Sequence, residues 1–349
     1  MGKSSGNFST VTRVGLDLAK RVKGEIVVTR KLTRSQLISF FAELPPSVVA
    51  MEACSSAHHW GRALIELGHE VRLIPPAHVK PYVRRNKNDQ VDAAAIYEAM
   101  SRPGQRFVPV RSIDNQAELM RHRARELLAG QRTAALNALR GHLAEIGLIA
   151  PQGAQHAYGL KRMAADGFNE NGEIVVPDCV RGALRSLVGQ IDALDEAIGA
   201  IDRELAASVK ADETAKRLMT IPGVGPVTAS AIMATIQDAN VFASGREFAA
   251  FLGLTPRQNS TGGKTRLGRI TKMGDRYLRK LLVVGACATL RHRRGHSDAL
   301  RLWASGMLER KTVKYKFNLT AVALANKVAR IVFVLMTRGG QYDDRPVAA

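Results

Sequence analysis

One segment of the sequence is too basic to be buried. Between Leu254 and Arg294 it contains eleven Lys or Arg residues and one acid, Asp275. These 41 residues therefore carry a net +10, eleven cations less one acid, of the +20 formal charge of the 349-residue chain. A charge surplus this local needs a polyanion to face. The charge favours nucleic acid as the partner but identifies no reaction.

The first 110 residues alternate strand-like runs with helix-like runs. The strand-like runs are rich in β-branched and apolar residues: VTRVGLDLAK, GEIVVTR, SVVAMEA, HEVRLIPP and RFVPV. The helix-like runs have apolar residues spaced by three and four: SQLISFFAEL, HHWGRALIELG and DQVDAAAIYEAM. Two early strands followed by this alternation predict an α/β domain in which helices cover a mixed sheet.

The remainder of the chain is predicted to be mainly helical. Asn115–Leu148 and Asp178–Val209 carry hydrophobic residues at i, i+3, i+4 and i+7, and a Gly-rich polar segment, 151–177, separates them. We expect an antiparallel helical pair that links two domains. The sequence thus predicts an N-terminal domain at 1–112, a helical linker at 113–212, a C-terminal domain at 213–340 and a tail at 341–349.

Cysteine usage and hydropathy favour a cytoplasmic protein. The three cysteines lie far apart and form no CxxC pair: Cys54, Cys179 and Cys287. Zinc sites and disulfide frameworks need closer spacing. The first ten residues lack the apolar core of a signal peptide, and the apolar stretch Leu319–Met336 is interrupted by Lys327 and Arg330. We therefore expect no membrane span.

Four acids in the first domain stand at the predicted ends of strands or helices. Asp17 lies in VGLDLAK and Glu52 in VVAMEA, each near the end of a strand-like run. Asp89 and Asp92 are spaced i, i+3 at the start of a helix-like run. This spacing puts both on one helix face, roughly 5–6 Å apart at Cβ. If that helix crosses the strand ends, the four carboxylates converge.

Convergent carboxylates repel one another unless they bind cations. Mg²⁺ favours hard oxygen ligands, and two such ions about 4 Å apart can stabilise the attacking and leaving oxygens of a phosphoryl transfer. The alternative is that each acid stabilises its own element, as an N-cap at Asp89 or through the helix dipole at Asp92. The residues alone leave both interpretations open.

Two glycine-containing motifs in the basic domain are candidate phosphate contacts. In TIPGVGPVTASAIMATI, Gly223 and Gly225 precede a helix of small residues. This pattern predicts a helix-hairpin-helix that directs backbone N–H groups at a phosphate, or a tight turn without a ligand. In QNSTGGKTRLGR, Ser260 and Thr261 precede two glycines. Ser260 is either a hydrogen-bond donor to a phosphate or a nucleophile that forms a phosphoester with a cut strand.

Taken together, the motifs resemble the DEDD-type insertion-sequence transposases of the IS110 family, and more specifically its IS1111 branch. The resemblance is carried by GLDLAK, MEAC and NKNDQVDA, followed by IPGVGPVTA, FAAFLGLTPRQNSTGGKTRLGRITKMGD and YLRKLL. It extends over nearly the whole chain, and the motifs are specific in their order and spacing.

The resemblance implies a RuvC-like (RNase H-like) N-terminal domain and a C-terminal domain with a serine nucleophile. It assigns the Mg²⁺ ligands to four acids, Asp17, Glu52, Asp89 and Asp92. It assigns the nucleophile to Ser260, with Thr261 as the neighbouring alternative. Candidate contacts to nucleic acid are the flanking cations and the two turn glycines: Lys264, Arg266, Arg269, Lys272, Gly223 and Gly225.

The function that the resemblance implies is RNA-guided DNA recombination. The expected partners are donor DNA, target DNA and a structured bridge RNA, and the expected assembly is a homo-oligomer, a dimer or tetramer, in the bacterial cytoplasm and at the nucleoid. Two other functions remain open at this point. One is a RuvC-like metal-dependent nuclease or Holliday-junction resolvase in which water attacks, and the other is a non-catalytic nucleic-acid-binding protein.

Overall fold

A computed structural model describes most of the chain. It covers residues 13–16, 32–83, 89–169, 171–295, 298–310, 312 and 315–343, and gives no side-chain placement for 13–16, 89–91 and 154. The chain is mostly helical with two small sheets. It divides into two compact units, Met1–Gln116 and Ala117–Ala349. The predicted four-part division of the chain stays a prediction.

The N-terminal unit contains a parallel sheet of three strands in the order β1, β2, β3. The strands are β1 (Arg13–Leu16), β2 (Val48–Glu52) and β3 (Glu70–Ile74). Its helices are α1 (Arg34–Ala42), α2 (Ala57–Glu66), α3 (Pro76–Val79) and α4 (Asp89–Ser101). Strand β2 is central and its middle three residues are buried, which explains its uninterrupted apolar sequence.

The two faces of β2 pack against different helices. Val49 and Met51 belong to a core that includes Phe41 of α1 and Leu64 of α2. Ala50, one residue out of phase, belongs to a core with α4. Helices therefore cover both faces of the sheet, as the alternation of strands and helices predicted.

The mixed character of the predicted sheet is visible in one contact. The pairings of β1 with β2 and of β2 with β3 are parallel, whereas Leu73 and Val108 form an isolated antiparallel bridge. Val108 lies in the predicted strand RFVPV. The other predicted strand, GEIVVTR, lies outside the described residues.

The C-terminal unit is helical apart from one β-hairpin. The first helix, α5, begins just before the division between the units. The helices are α5 (Ile113–Glu145), α6 (Ala154–Asp166), α7 (Asp178–Ala211), α8 (Glu213–Met219), α9 (Pro226–Thr235), α10 (Gly245–Phe251), α11 (Arg276–Arg291), α12 (Ala299–Arg310) and α13 (Lys316–Arg338). The hairpin strands are β4 (Pro256–Gln258) and β5 (Leu267–Ile270).

Helices α5 and α7 form the predicted antiparallel pair. Their ion pairs run in opposite directions along the two helices, since Arg125 pairs with Asp202 and Arg132 pairs with Asp195 at 2.9 Å. Leu139 and other apolar residues of α5 are buried against α7. The pair is therefore joined by an apolar seam with charged pairs along its edge.

The segment between the two long helices departs from the prediction. The sequence suggested a Gly-rich polar connection at 151–177, but α6 forms within it. Three of its residues, Ala157, Leu160 and Ala164, are buried in the same core as α5 and α7. Their spacing of three and four is helical but short, and two of the three are alanines, so the periodic signal is weak.

Helix α13 is the apolar centre of the C-terminal unit. It is the one helix among the described residues that is long and apolar enough to cross a membrane, with a mean hydropathy of 1.8 in its most apolar window. Its buried residues include Leu324, Val328 and Val332, which share a core with α10 and α11. Core helices of soluble proteins have this composition, and here the apolar face is used in packing.

A directional chain of hydrogen bonds joins α5 to α9 and α11. His122 of α5 is buried, and its ring nitrogens lie 3.1 Å from Tyr277 Oη and 2.9 Å from Ser230 Oγ. Ser230 Oγ donates to Glu118 Oε1 at 2.5 Å, so the serine must accept from His122 Nε2–H. The remaining nitrogen, Nδ1, then accepts from Tyr277, whose pKa burial raises to about 12. This arrangement requires a neutral imidazole.

The neutral state of His122 makes the stability of this unit depend on pH. Burial lowers the pKa of His122 to about 4, with Arg125 acting in the same direction and Glu118 and Asp202 opposing it. Since the unfolded chain binds the proton near pH 6.5 and the folded chain near 4, stability is full above pH 6.5 and falls as the pH decreases towards 4. We expect this loss to be roughly 3 kcal/mol, and His122→Gln to remove it.

Urea unfolding at pH 7, 5.5 and 4, followed by circular dichroism, measures this difference. His156→Gln is the matched control, because His156 is an exposed histidine of the same unit. Parallel stability profiles for the wild type and His122→Gln would contradict the assignment of a neutral buried histidine.

Candidate catalytic and nucleic-acid-binding sites

The first candidate site lies at the carboxyl end of the parallel sheet. Glu52 is the last residue of β2 and is partly buried. Leu16, the last residue of β1, pairs with Met51, the residue before Glu52. Asp17 follows Leu16 in sequence and lies outside the described residues.

Helix α4 brings Asp92 to the same side of the sheet as Glu52. Ala50 packs against Ile96 and Ala99 of α4, and side chains two residues apart on a strand share a face, so Glu52 follows Ala50 on the α4 side. Asp92 is partly buried and lies one turn before Ile96 on the packed face of α4. Asp89 is the first residue of α4, and its side chain is not among those described.

The carboxylates of Glu52 and Asp92 are available for a ligand. Within the described ranges, neither carboxylate has a hydrogen bond or an ion pair. Uncommitted carboxylate oxygens are the donor type that Mg²⁺ prefers, so the two residues fit a magnesium site chemically. Among the side chains that the structure places, no group of three or more His, Cys, Asp or Glu could hold a metal ion. The proposed third and fourth ligands are Asp17 and Asp89, which have no described side chains.

The second candidate site is the β4–β5 hairpin, which is exposed along almost its whole length. Its strands are antiparallel, and its tip is a turn in which Lys264 N donates to Thr261 O at 3.0 Å. Gly262 and Gly263 at the centre of this turn have φ values of 52° and 74°. Positive φ at both central residues is typical of the tight hairpin turn for which glycine is favoured, so the sequence TGGK specifies this turn.

The hydroxyl of Ser260 is held in place and exposed. Its oxygen accepts a hydrogen bond from Arg266 N at 3.1 Å, across the hairpin. In the described part of the chain, no protein acceptor takes the hydroxyl hydrogen of Ser260. The hydroxyl oxygen is thus oriented by the backbone, and its hydrogen is free of any acceptor among the described residues, which suits both a donor to a phosphate and a nucleophile.

Exposed cations lie on the same hairpin as this hydroxyl and just after it. The predicted contacts on and after the hairpin are all exposed: Lys264, Arg266, Arg269 and Lys272. None of the four makes an ion pair with an acid in the ranges that the structure covers. At the base of the hairpin, Arg279 donates to Leu252 O at 2.9 Å and to Met273 O at 3.0 Å. The hairpin is therefore tied to the helical core at its base and presents unpaired positive charge along its arms.

The two glycines in the turn between α8 and α9 have different surroundings. Gly223 has a φ of 89°, and a Cβ there would lie 2.7 Å from Gly285 O of α11. Gly223 is thus required by close packing inside the unit. Gly225, in contrast, is exposed at the start of α9, with open space around it. Two helices joined by a tight turn form here, as the sequence pattern predicted. Phosphate binding by either glycine stays a prediction.

Three cations on the outer face of α13, Lys327, Arg330 and Arg338, were not predicted as nucleic-acid contacts. They line a groove between α13, the start of α10 and the base of the hairpin, which we call the α13 groove; its cations are Arg246, Arg269, Lys272, Lys327, Arg330 and Arg338. Lys327 and Arg330 were noticed only as interruptions of an apolar stretch. Their spacing from Arg338 puts all three cations on one helix face, and this spacing was the sequence signal for a basic surface on α13.

Two family models of transposases match parts of this chain. A family model for DEDD transposases of the IS110 type, described as "Transposase", matches residues 11–148. A second model, described as "Transposase IS116/IS110/IS902 family", matches residues 215–301. The first match contains all four candidate acids, and the second contains the turn glycines, the hairpin and Ser260.

Several transposases are similar over nearly the whole chain. A probable family 20 transposase of Pseudomonas aeruginosa is 45% identical over 336 residues, which cover 94% of this chain and 97% of the relative. The transposase for insertion sequence element IS1328 of Yersinia enterocolitica is 41% identical, with coverages of 94% and 98%. The transposase for insertion sequence element IS1111A of Coxiella burnetii is 39% identical, with coverages of 97% and 93%.

These similarities show that the protein is a DNA-processing enzyme of the transposase class. The chain belongs to the IS116/IS110/IS902 family of insertion-sequence transposases. The resemblance found in the sequence motifs is thereby confirmed, and so is the expectation of DNA transposition.

The exposed cations of the hairpin predict a salt-dependent contribution to DNA binding. Replacing Arg266, Arg269 and Lys272 together by Ala should make the dependence of log affinity on log salt shallower. The expected change for duplex DNA is roughly 0.9 for each lost phosphate contact, because each contact releases condensed counterions. Fluorescence anisotropy with a labelled non-cognate duplex between 50 and 300 mM salt, roughly the range over which this effect is steep, gives the slope.

A triple variant in the exposed cations of α6 and α7, Arg162→Ala with Arg185→Ala and Arg203→Ala, is the matched control. Equal slopes for the hairpin variant and the wild type would show that the hairpin cations do not contact the DNA backbone.

Proposed function

We propose that this transposase cuts and rejoins DNA through a covalent intermediate on Ser260, with the four acids of the N-terminal unit as its magnesium ligands. The observation that carries the proposal is the placement of Ser260: an exposed hydroxyl, oriented by Arg266 N, on a hairpin whose exposed cations make no ion pair among the described residues. A nucleophile needs a fixed oxygen with an unhindered approach, and its phosphodiester substrate needs positive charge around it.

The proposed reaction conserves the number of phosphoester bonds. Ser260 Oγ attacks the scissile phosphorus, a new Oγ–P bond forms, and the bond from phosphorus to the oxygen of the departing strand breaks. The serine proton is released, and the departing oxygen takes up a proton to become a strand hydroxyl. The hydroxyl of a second strand then attacks the phosphoserine diester, rejoins the DNA and returns the proton to Ser260. No external energy source is needed, because the bond energy is stored in the ester.

The acids would hold Mg²⁺ in a nuclease-like, RuvC-type domain. Glu52 and Asp92 support this assignment because they share one side of the sheet and have uncommitted oxygens. When bound, the ions would supply charge neutralisation for the phosphoryl group. Glu52 itself lies at the carboxyl end of a parallel strand, where α/β sheets bind their ligands.

Guidance by a structured RNA and assembly into a homo-oligomer complete the proposal. The basic character of the chain supports an RNA partner, since A-form helices and loops are contacted largely through phosphates and sugars. Target choice would then be made by base pairing rather than by side chains.

A metal-dependent nuclease without a covalent intermediate is the second candidate function. It is favoured by one observation: Ser260 Oγ already accepts a hydrogen bond from Arg266 N, which gives the residue a structural role within the hairpin. In that reaction water would attack the phosphodiester, and Ser260 would only donate to a phosphate.

The Ser260→Ala variant separates these two functions. If Ser260 is the nucleophile, the variant should fold and bind DNA normally, yet form no covalent protein–DNA species and no recombinants. The fold should survive because an exposed hydrogen bond contributes only about 1 kcal/mol. A hydrogen-bonding role predicts a milder effect, a rate loss of roughly ten- to a hundredfold. A denaturing gel of labelled DNA, followed by peptide mapping of the adduct, is the measurement.

Thr261→Ala is the control, since it removes the neighbouring hydroxyl from the same turn. An adduct that persists in Ser260→Ala and is lost in Thr261→Ala would assign the nucleophile to Thr261. Active wild-type protein without any adduct would support attack by water.

The metal assignment predicts that Asp92→Asn abolishes strand cleavage. The substitution removes a charged oxygen ligand and leaves the shape of the side chain almost unchanged, so the melting temperature should stay within about 3 °C. Cleavage is followed with labelled DNA across a Mg²⁺ titration. Glu98→Gln, an exposed acid later on the same helix, is the control. Wild-type cleavage by Asp92→Asn at low Mg²⁺ would contradict the role of this acid in metal binding.

A further inference from the structure

The α13 groove is a large open concavity within the C-terminal unit, with a volume of about 1840 Å³. One wall is formed by the base of the hairpin, another by the start of α10, and the floor by one face of α13. The lined face runs from Tyr315 to Arg338, about 35 Å at the helical rise per residue. At Gly245, where a Cβ would lie 3.2 Å from Arg330 O, α10 approaches α13 closely and closes one side of the groove.

The charge of the groove has one sign. Six of the lining residues are Lys or Arg, and none of the described residues that line it is Asp or Glu. Arg246 and Arg330 are exposed, and no ion pair in the described ranges involves any of the six cations. Lys327 lies with Nζ 4.6 Å from the centre of the Trp303 ring, and burial followed by the charge of Arg330 lowers its pKa. An uncompensated cluster of this kind attracts a polyanion.

The floor of the groove is apolar and aromatic. Tyr315 is 65% exposed, Leu319 is 49% exposed and Val334 is 41% exposed, and all three line the groove together with Trp303. A surface that only held phosphates would need none of these side chains. The combination of cations with an exposed ring matches the sites at which unpaired bases stack while their phosphates bind Lys or Arg.

We propose that the α13 groove binds an unpaired single strand of nucleic acid, with a base stacked on Tyr315 and phosphates bound by Arg246 and Arg330. The groove would hold the strand next to the hairpin, because Arg269 of β5 and Lys272, just after β5, both line the groove. The inference rests on the DNA substrate of the family and not on the serine mechanism.

Other occupants fit the groove less well. A duplex keeps the faces of its bases stacked inside, so it would gain nothing from Tyr315 or from the apolar floor. An anionic membrane could use both charge and apolar surface, but it requires a protruding face rather than a concave one. A second copy of this chain would bring its own excess of positive charge against the six cations.

Trp303 lines the groove, so its fluorescence can report binding there. The chain has two tryptophans, Trp60 and Trp303, so Trp60→Phe leaves Trp303 as the single reporter. In this background, a 20-residue oligothymidylate should quench the fluorescence of Trp303 as it binds. An oligouridylate of equal length distinguishes a DNA strand from an RNA segment as the preferred ligand, and a 20-base-pair duplex is the comparison.

Substitutions at Tyr315 test stacking apart from apolar contact. Tyr315→Phe keeps a ring and should bind oligothymidylate within about twofold of wild type. Tyr315→Leu keeps an apolar side chain without a ring and should lose roughly 5- to 150-fold in affinity, the range for removal of one stacked base. Binding of the duplex should change by less than about threefold in both variants, because a duplex does not offer its base faces.

The double variant Arg246→Ala with Arg330→Ala tests whether these two cations bind the phosphates of the strand. The expected loss for the single strand is roughly ten- to a hundredfold, and the salt slope should fall by about 0.7 for each phosphate contact. Arg185→Ala with Arg203→Ala removes two exposed cations of α7, outside the groove, and should change the affinity by less than about twofold. Melting temperatures measured by circular dichroism verify that each variant folds.

Three results would overturn the proposal. Full affinity of Tyr315→Leu would show apolar docking without stacking. Unchanged Trp303 fluorescence at saturating oligonucleotide would place the strand elsewhere, and quenching by phosphatidylserine vesicles but not by strands would identify a membrane surface. A failure of the serine mechanism would instead appear as missing adducts with strand binding intact, so the two outcomes are distinguishable.

Discussion

The burial of one face of α13 against α10 and α11 is the contact on which the C-terminal unit depends. Leu324, Val328 and Val332 are almost fully inaccessible in this core. Each such side chain stabilises the folded state by about 1.5–3 kcal/mol relative to an exposed one. Because apolar residues occupy the interior of this contact, the basic residues of the same elements lie outside it. The hairpin and the α13 groove are both consequences, since each presents the charge that the core excludes.

The N-terminal unit follows a different constraint, the parallel pairing of β1 with β2. Parallel strands end at the same edge, and the buried β2 requires helices on both faces. Helix α4 packs on the face that contains Ala50, and this places Asp92 on the same side as Glu52. The same packing that stabilises the sheet therefore gathers two of the acids proposed to bind metal. Their carboxylates have no hydrogen bond or ion pair within the described residues, which leaves their oxygens available to a cation.

Much of the architecture was predictable because its signals are local. The periodicity of α5 and α7, the strand-like runs of β2 and β3, and the TGGK turn are all properties of short sequences. The sequence did not predict the features that depend on tertiary contacts. Helix α6 forms in a polar, Gly-rich segment because three small or apolar residues find a core. His122 becomes a buried neutral hydrogen-bonding group only because Ser230 and Tyr277, more than 100 positions away, face it.

By itself, the sequence determined the family, the order of the candidate motifs and the need to expose the basic segment. These follow from residue type and spacing, which the chain carries wherever it folds. Only the tertiary structure decided that Gly223 packs against Gly285, and that cations from α10, the hairpin and α13 line one groove. Such relations join residues far apart in the chain, and no local pattern encodes the distance between them.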